Sequence, residues 1–326
     1  MPRPLVSGTV EHQWMPASGS SIFANADGYQ ASVRDMLDLL VLQPHGFQAR
    51  LTWVDLPTLH LLRAQESSPR VAFVTFPPEM VFVTFSTEHD SRLIYRGTEL
   101  RFGDIIFHSR GERGHQRTTG FSRWGSISLT SSALASFSWT IAGRSLTPPA
   151  VAQVLRPLPA DRRQLLRLHA QAGRIAETHL DRIAHKEVAR AIEQELILAL
   201  VNCLTTGTAQ RDPAAHQRQA CLLVRLEALL AAYPGRLLHT QDICRDLGVS
   251  ASRLRGSCLT VLGMGHGSYQ RLRRLKQVRA ELMHAKSAAA EATEIVKRYG
   301  FEGLHRFVTD YWNAFGEMPP LPTRDP

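Results

Sequence analysis

Short apolar runs separated by turn-forming residues fill the first half of the chain. Val, Ile, Phe, Thr and Trp are common in these runs, and Pro, Gly, Ser and Asp lie between them. This pattern is typical of strands in a β-sandwich or barrel. The predicted strands are residues 46–53, 58–62, 70–76, 80–85, 100–108 and 123–129, and two helices are predicted at 31–42 and about 132–142.

Longer amphipathic segments follow from Asp161 onward. Their apolar residues recur every three or four positions, which predicts helices. These residues are Leu165, Leu168, Ala172 and Ile175 in one stripe, and Val188, Ile192, Leu196 and Ala199 in the next. Two prolines at 148–149 and a polar segment at 207–213 predict boundaries. We therefore expect a β-rich domain at 1–150, a helical bridge at 151–215 and an all-α domain at 216–326.

Two segments of the C-terminal region repeat one apolar pattern. Each has an apolar residue five positions before a glycine, and then apolar residues every four positions. The glycine allows the positive φ of a tight turn, and the spacing places one stripe of the following helix inward. This pattern predicts two helix-turn-helix units, whose second helices can each enter a major groove about 12 Å wide. The matched positions are Ile243, Gly248, Leu254, Cys258 and Leu262 in the first unit, and Ile295, Gly300, Phe307, Tyr311 and Phe315 in the second.

Composition excludes several classes of protein. The 326 residues are 44% hydrophobic, enough to bury a core and too apolar for a disordered chain. Four cysteines with no Cys-x-x-Cys pair exclude a disulfide scaffold and a structural zinc site. There is no apolar run long enough to cross a membrane and no secretion signal at the start, so we expect a cytoplasmic protein without membrane contact.

The net charge indicates a class of binding partner. The formal charge is +9, and residues 217–326 contain sixteen Lys and Arg against ten Asp and Glu. A basic excess concentrated in one domain is typical of a protein that binds a polyanion. The alternative, a basic surface that serves only solubility, stays open on charge alone.

At this point the residues resemble the AraC family of bacterial transcription regulators. The resemblance covers about residues 217–320 and is most specific in the second unit, where 293–301 are followed by Arg306, Phe307, Tyr311 and 315–317. It implies two recognition helices that enter adjacent major grooves of double-stranded DNA, and an N-terminal sensing or dimerising domain, often a cupin-like β-barrel. The departures are Cys258 in place of a large aromatic residue, Gly256 inside the first recognition helix, and Gly265 and His266 in place of a small polar residue and proline. We therefore expect the second unit to be the better ordered.

Candidate DNA contacts lie on the outer faces of both recognition helices and on the basic helix between them. Arg255 is a candidate to bind the O6 and N7 edge of guanine. The resemblance places Ser252, Arg255, Gly256, Leu304, His305 and Thr309 at positions that usually reach bases. Arg306 either positions phosphates or braces the fold, and Arg271, Arg273, Arg274 and Lys276 either contact phosphates or form a solvated face. The full set of predicted contacts is Ser252, Arg253, Arg255, Gly256, Arg274, Lys276, Glu302, His305, Arg306 and Thr309.

The β-rich domain is expected to sense or to dimerise. Residues 103–115 resemble the second conserved motif of cupin barrels, but Ser109 replaces a proline and His115 falls one place late. A metal cupin also needs a His-x-His motif, and the chain has none, so we predict no metal, no cofactor and no catalytic residues. His89, His108 and His115 are the histidines that would have to cluster for the opposite result. The effector is unidentified; nearby arginines point to an anionic or aromatic molecule.

The predicted function is therefore a sequence-specific transcription regulator, an activator, and not an enzyme. Its β domain binds a small effector or dimerises, and RNA polymerase is a further partner if the protein activates. The stripe at 188–199 either forms a homodimer seam, which we favour, or packs within one subunit. The alternatives are a cupin-type metalloenzyme with a nucleic-acid-binding tail, and a ligand-independent regulator controlled by a protein partner.

Overall fold

The apolar runs of the N-terminal half pair into two antiparallel sheets. The structure, a computed structural model, describes residues 17–33, 36–210, 214–284 and 289–321. The strands are β1 (Ala17–Phe23), β2 (Leu37–Val41), β3 (Ala49–Asp55), β4 (Leu59–Glu66), β5 (Arg70–Thr75), β6 (Met80–Ser86), β7 (Leu93–Tyr95), β8 (Thr98–Glu99), β9 (Ile105–Phe107), β10 (Arg113–Thr118), β11 (Ser122–Thr130), β12 (Gln153–Arg156) and β13 (Thr208–Ala209). The larger sheet has the order β1-β3-β4-β11-β6-β9-β12-β13, and the smaller one β2-β5-β10-β7-β8.

The two sheets face each other across a shared core. Leu39 and Val74 of the smaller sheet pack in one cluster with Leu51 and Phe82 of the larger sheet. Several predicted strands are confirmed, since 70–76, 80–85 and 123–129 agree with β5, β6 and β11 to within a residue at each end. These strands are buried at most positions, and their β-branched and aromatic residues, bounded by turn-forming residues, are what identified them in the sequence.

The helix predicted at 31–42 is wrong in its second half. The structure has α1 at Ala26–Val33 and then strand β2 at Leu37–Val41. Both faces of this strand are covered, so it contains apolar residues at nearly every position and mimics a helical stripe. Leu39 faces the core between the sheets, whereas Leu40 faces the C-terminal domain.

The helices after the strands cover the outer face of the larger sheet. They are α2 (Ser131–Ala142), α3 (Pro159–Thr178), α4 (Leu180–Ala184) and α5 (Lys186–Thr206). The helix predicted at 132–142 is confirmed as α2. Leu165 of α3 and Leu196 and Ala199 of α5 are buried in one cluster with Val83 and Ile127 of the sheet.

The bridge therefore packs within one subunit. Leu196 and Ala199 are almost fully buried, and only Val188, 38% exposed, faces outward from the stripe proposed as a dimer seam. Strand β12 follows the expected boundary at 150 and pairs with β9, and β13 then pairs with β12. The bridge therefore adds two strands, β12 and β13, to the larger sheet and also covers its outer face.

The C-terminal region is helical throughout the part that the structure describes. Its helices are α6 (Ala214–Ala232), α7 (Thr240–Leu247), α8 (Ala251–Leu262), α9 (His266–His284), α10 (Ala289–Arg298) and α11 (Leu304–Phe315). Leu226, Ile243 and Leu254 form a core that includes Leu40 and Val71 of the smaller sheet. A separate core of α9, α10 and α11 holds the second unit together. The fold class is thus confirmed as a β-rich N-terminal domain, a helical bridge and an all-α C-terminal domain; a cupin-like barrel stays a prediction.

Candidate nucleic-acid interface

The first helix-turn-helix unit consists of α7, a glycine turn and α8. Gly248 ends α7 with φ +66°, a conformation that only glycine adopts without strain. Ser250 then starts α8, and its hydroxyl accepts a hydrogen bond from the Arg253 backbone N–H at 3.2 Å. Leu254 and Cys258 are buried against the core of this unit. Burial raises the pKa of the Cys258 thiol to about 12, so it stays protonated and behaves as a small apolar group.

The outer face of α8 carries the side chains predicted to reach DNA. Ser252, Arg253 and Arg255 are exposed there. Gly256 is half-buried by its own backbone neighbours, and a Cβ at this position would meet no atom within 4 Å. The glycine therefore leaves a gap on this face, next to Arg255.

The second unit consists of α10, a turn at Gly300 and α11. Gly300 has φ +71°, and Gly303 before α11 has φ +85°. Phe307 and Tyr311 are buried against α9 and α10. The side chains left exposed at the start of α11 and just before it are Glu302, Leu304, His305, Arg306 and Thr309. The Thr309 hydroxyl donates to the backbone oxygen of His305 at 3.1 Å.

The basic helix α9 differs from both alternatives considered for it. Its cations neither project into solvent nor line a surface open to a duplex, because acidic and carbonyl partners surround them. Arg271 forms an ion pair with Asp310 of α11, and Arg273 forms one with Glu227 of α6. Arg279 lies 3.0 Å from Asp27 of the β domain and 2.8 Å from Glu317.

Arg274 acts as a brace inside the C-terminal domain. Its side chain is buried, its Nη1 donates to the backbone oxygen of Tyr299 at 2.7 Å, and its guanidinium lies 4.9 Å from the centre of the Phe301 ring. Burial lowers the pKa of this guanidinium. The phosphate contact predicted for Arg274 does not agree with this position, because the side chain holds the turn of the second unit from within.

Lys276 joins the C-terminal domain to the β domain. Its ammonium group forms an ion pair with Asp38 of β2 and donates to the backbone oxygen of Leu39 at 2.9 Å and to the Gln30 side chain. The phosphate contact predicted for Lys276 does not agree with this arrangement either, since its donors are already satisfied by the other domain.

A buried polar cluster lies beside this ion pair, between the two domains. It contains His115 of β10, Glu227 of α6, and Tyr269 and Arg273 of α9. Glu227 accepts from the Tyr269 hydroxyl, from Arg273 and, at 3.0 Å, from His115 Nε2. Burial, helped by the positive charge of Arg273, lowers the pKa of His115 to about 3, so the imidazole is neutral and donates through Nε2. Sequence analysis missed Glu227, although it interrupts the apolar stripe formed by Leu223 and Leu230.

The C-terminal ends of both recognition helices pack against the β domain. Thr260 of α8 packs so closely on Gly97 that a Cβ there would lie 2.8 Å from the Thr260 methyl carbon. Trp312 of α11 packs on the His45 ring with 5.4 Å between centroids. The N-terminal halves of both helices, which carry the predicted contacts, stay exposed.

The three histidines considered as metal ligands lie in three different places. His108 is buried between the Thr84 hydroxyl at 2.8 Å and Glu112 at 3.1 Å, His89 stacks on Phe102, and His115 belongs to the interdomain cluster. Within the described ranges no group of three or more His, Cys, Asp or Glu side chains is arranged to hold a metal ion. None of the helices in those ranges is both long enough and apolar enough to span a bilayer.

Comparison with known proteins identifies the C-terminal region. Residues 243–320 match the model of a family described as a helix-turn-helix domain. This part of the chain belongs to that helix-turn-helix family. A 139-residue stretch is 31% identical to the probable thc operon regulatory protein of Rhodococcus erythropolis; it covers 40% of this chain and 42% of that protein. The chain thus matches less than half the length of this relative, which is named as a regulator and not as an enzyme.

Solved structures with a related arrangement are more distant from this chain. The AraC-like transcriptional activator CuxR is 18% identical over 78% of this chain and 91% of its own, with a TM-score of 0.40. ToxT from Vibrio cholerae is 11% identical over 94% of this chain and 97% of its own, with a TM-score of 0.27. At these TM-scores the likeness carries no information on ligands or activity.

Proposed function

We propose that this protein is a sequence-specific, DNA-binding transcription regulator, an activator, controlled through its β domain. One observation carries the proposal: the N-terminal halves of α8 and α11 expose polar and basic side chains, while the cations of α9 are paired within the protein. The N-terminal residues of a recognition helix are those that meet base edges in the major groove. The match to a helix-turn-helix domain and the regulatory name of the relative support the same function.

The contacts proposed for DNA are those of the two exposed faces. Arg253 and Arg255 of α8 and Arg306 of α11 supply the positive charge, and Ser252, His305 and Thr309 supply donors and acceptors for base edges. Because Arg274 and Lys276 are already bonded, we no longer assign phosphate contacts to them in this arrangement of the domains.

Control would come from the contact between the domains. The first unit shares its core with Leu40 and Val71, and Lys276 is held by Asp38. An effector that binds the β domain would shift an equilibrium between arrangements with different access to two adjacent grooves. We retain a homodimer, a small-molecule effector, RNA polymerase as a partner and a cytoplasmic location as parts of this proposal.

The contacts of the histidines argue against one of the two rival functions and leave the other open. A metalloenzyme with a nucleic-acid-binding tail would need His108 and His115 as ligands, and both rings already bond to protein groups. A regulator controlled by a protein partner stays compatible with the fold. Thermal-shift screening of metabolites separates that rival from an effector-controlled regulator.

Selection of bound fragments from genomic DNA tests the proposal. We expect enrichment of a site with two half-elements spaced by about one helical turn, 10–10.5 base pairs. Failure to enrich any sequence over the input pool contradicts the proposed function.

Arg255→Ala should then relax the preference at one base pair. The loss expected there is about 1–3 kcal/mol of discrimination, because a bidentate contact to guanine is removed. Quantitative binding to the selected site and its single-base variants measures this. Arg163→Ala, an exposed arginine on bridge helix α3, is the control and should leave the preference unchanged. Equal loss from both variants would show that Arg255 acts only through general charge.

A further inference from the structure

A cleft of about 790 Å³ opens in the β domain, away from the helix-turn-helix faces. We call it the arginine cleft. It is lined by His89, Asp90, Ser91, Arg92, Glu99, Leu100, Arg101, Phe102 and Arg162. This volume lies in the range of 300–1,000 Å³ that is usual for small-molecule sites. No role in DNA binding has been assigned to these residues above.

A flat ring forms part of the wall of this cleft. The His89 imidazole stacks on Phe102 with 4.8 Å between centroids and 27° between planes. The Arg162 guanidinium lies 5.8 Å from the centre of the same Phe102 ring. A Cβ at Gly103, which has φ +88°, would collide with the Arg162 side chain, so this glycine lets the arginine lie against the 102–103 backbone. Such a wall favours a planar group, which can stack on rings and on guanidinium planes.

The same cleft carries three arginines against two carboxylates, Asp90 and Glu99. Arg162 Nε is buried without a hydrogen-bond partner, and its Nη1 makes only a long bond of 3.4 Å to the Phe102 carbonyl oxygen. Arg101 is exposed and has no carboxylate partner among the described residues, while Arg92 lies 3.9 Å from Glu99. A buried donor without a protein partner can bond to an acceptor that enters the cleft, a ligand or a water molecule.

A second cleft, between the domains, differs because both of its cations already have carboxylate partners. It measures about 300 Å³ and includes Lys276 and Arg279. Lys276 is paired with Asp38, and Arg279 with Asp27 and Glu317. An anion entering there would have to break existing ion pairs, whereas the arginine cleft offers donors that are still available.

The β7–β8 hairpin connects the arginine cleft to the first helix-turn-helix unit. Arg92 lies just before β7, and Glu99 ends β8, so both ends of the hairpin line the cleft. Its turn touches the other domain: Gly97 packs on Thr260 of α8, and the Thr98 hydroxyl lies 2.8 Å from His216 Nδ1 of α6. A ligand that shifts the strand ends would therefore move the turn against the first recognition helix.

We propose that the arginine cleft binds an anion that carries a flat ring, and that the β7–β8 hairpin transmits this binding to the first recognition helix. A nucleotide phosphate and an aromatic carboxylate share this chemistry. The regulatory half of the inference rests on the proposed function, whereas binding to the cleft does not.

Calorimetry on the full-length protein tests the cleft directly, without DNA. The probes are adenosine 5′-monophosphate and benzoate, with inorganic phosphate as the probe that lacks a ring. We expect one ring-bearing anion to bind more tightly than inorganic phosphate by at least about tenfold, because stacking adds to the ion pairs. Whichever of the two binds more tightly identifies the source class.

Three variants locate the bound probe. Arg162→Gln and Arg101→Gln should each weaken binding about tenfold or more, since a charge-assisted hydrogen bond is lost, and Phe102→Leu should weaken it about threefold to tenfold. Arg101 is exposed, so its variant folds even if the Arg162 variant does not. Arg163→Gln, one residue along α3 and outside the cleft, is the matched control and should bind as the wild type does. Unchanged affinity in both Arg101→Gln and Arg162→Gln, or no binding of either ring-bearing probe at millimolar concentration, overturns the site.

The coupling is measured on the DNA site selected for the wild type. A saturating concentration of the bound probe should change DNA affinity, and DNA should change probe affinity by the same factor. His216→Phe removes the bond to Thr98 and should reduce that factor while leaving probe affinity in the absence of DNA unchanged. A wild type that binds the probe and DNA independently overturns the transmission. A protein that binds the probe but no DNA refutes the proposed function and leaves the cleft in place.

Discussion

At the scale of single residues, buried polar groups fix the interior of the β domain. Glu66 is fully buried at the end of β4 and accepts hydrogen bonds from Tyr29 at 2.7 Å and from Arg70 at 2.8 Å. Ser122 and Trp124 of β11 donate to the same carboxylate, each at 3.0 Å. Burial opposes the charge, and these partners nevertheless lower the pKa of Glu66.

Glu66→Ala should destabilise the β domain strongly. The substitution leaves the Arg70 guanidinium, 1% exposed, without its counter-ion, and breaking a buried pair costs about 3–5 kcal/mol. Urea unfolding measures the loss. Glu88→Ala, which removes a half-exposed pair with Arg123, should cost less than about 1 kcal/mol. Similar losses for the two variants would contradict the dominance of the buried network.

Acid should destabilise the protein through its buried histidines. Burial lowers the pKa of His169 to about 3, where Nε2 bonds to the Leu62 carbonyl oxygen. Below pH 6.5 the unfolded chain gains a proton that the folded chain does not, so stability rises with pH and falls as pH drops from 6.5 toward 3. His169→Gln should make this fall shallower in urea unfolding measured from pH 7.5 to pH 4. His305→Gln, an exposed control, should leave the slope as in the wild type.

The Glu112 carboxylate affects stability at lower pH than the histidines do. Contacts with His108, Arg96 and Tyr95 outweigh burial and lower the pKa of Glu112 to about 2. Its contribution is complete above the unfolded value of 4.5 and is lost as pH falls from 4.5 toward 2. The two windows overlap only between pH 4.5 and 3, so we expect the loss of stability between pH 6.5 and 4.5 to come from the histidines.

At the scale of elements, the two recognition helices start differently. Helix α8 begins at Ser250, whose side chain caps it, whereas α11 begins at Gly303 without a side-chain cap. The expectation that the second unit is the better ordered stays a prediction, and these caps favour the opposite order. Gly256 inside α8 offsets the cap, because glycine in a helix interior lowers the stability of the helix by about 1 kcal/mol relative to alanine.

Ser250→Ala should loosen the first turn of α8. Losing an N-cap side chain costs about 0.5–2 kcal/mol, because one backbone N–H is left without a partner. Hydrogen exchange should become faster at the start of α8 and stay unchanged in α11. Ser252→Ala, an exposed serine in the same turn with no capping bond, is the control. Equal acceleration in both variants would mean that the cap does not set local stability.

At the scale of the whole molecule, the smaller sheet lies between the larger sheet and the helix-turn-helix domain. Residues on β2 alternate between these two neighbours: Leu37 and Leu39 enter the core between the sheets, and Asp38 and Leu40 face the other domain. His115 of β10 likewise points away from the core between the sheets and bonds to Glu227 of the other domain. The sheet thus supports the helix-turn-helix domain through both apolar and charged contacts.

Lys276→Ala should weaken this support without unfolding either domain. The ion pair with Asp38 is partly exposed, so we expect a loss of about 1 kcal/mol and an increase in hydrogen exchange of about fivefold along β2. Lys297→Ala, which removes an exposed pair within α10, should leave β2 unchanged. An unaltered exchange rate of β2 in the Lys276 variant would show that this ion pair does not stabilise β2.

The sequence by itself determined several of the strands, the long helices and the two helix-turn-helix units. Ile243, Gly248 and Leu254 recur as Ile295, Gly300 and Phe307 because each unit closes through contacts between residues near in sequence. Only the tertiary structure decided which charges of α9 are available. Arg273, Arg274 and Lys276 have their partners in Glu227, Tyr299 and Asp38, which belong to other elements. A cation on a helix looks the same in sequence whether it faces water, DNA or a carboxylate, and the packing of the two domains determines which of these it meets.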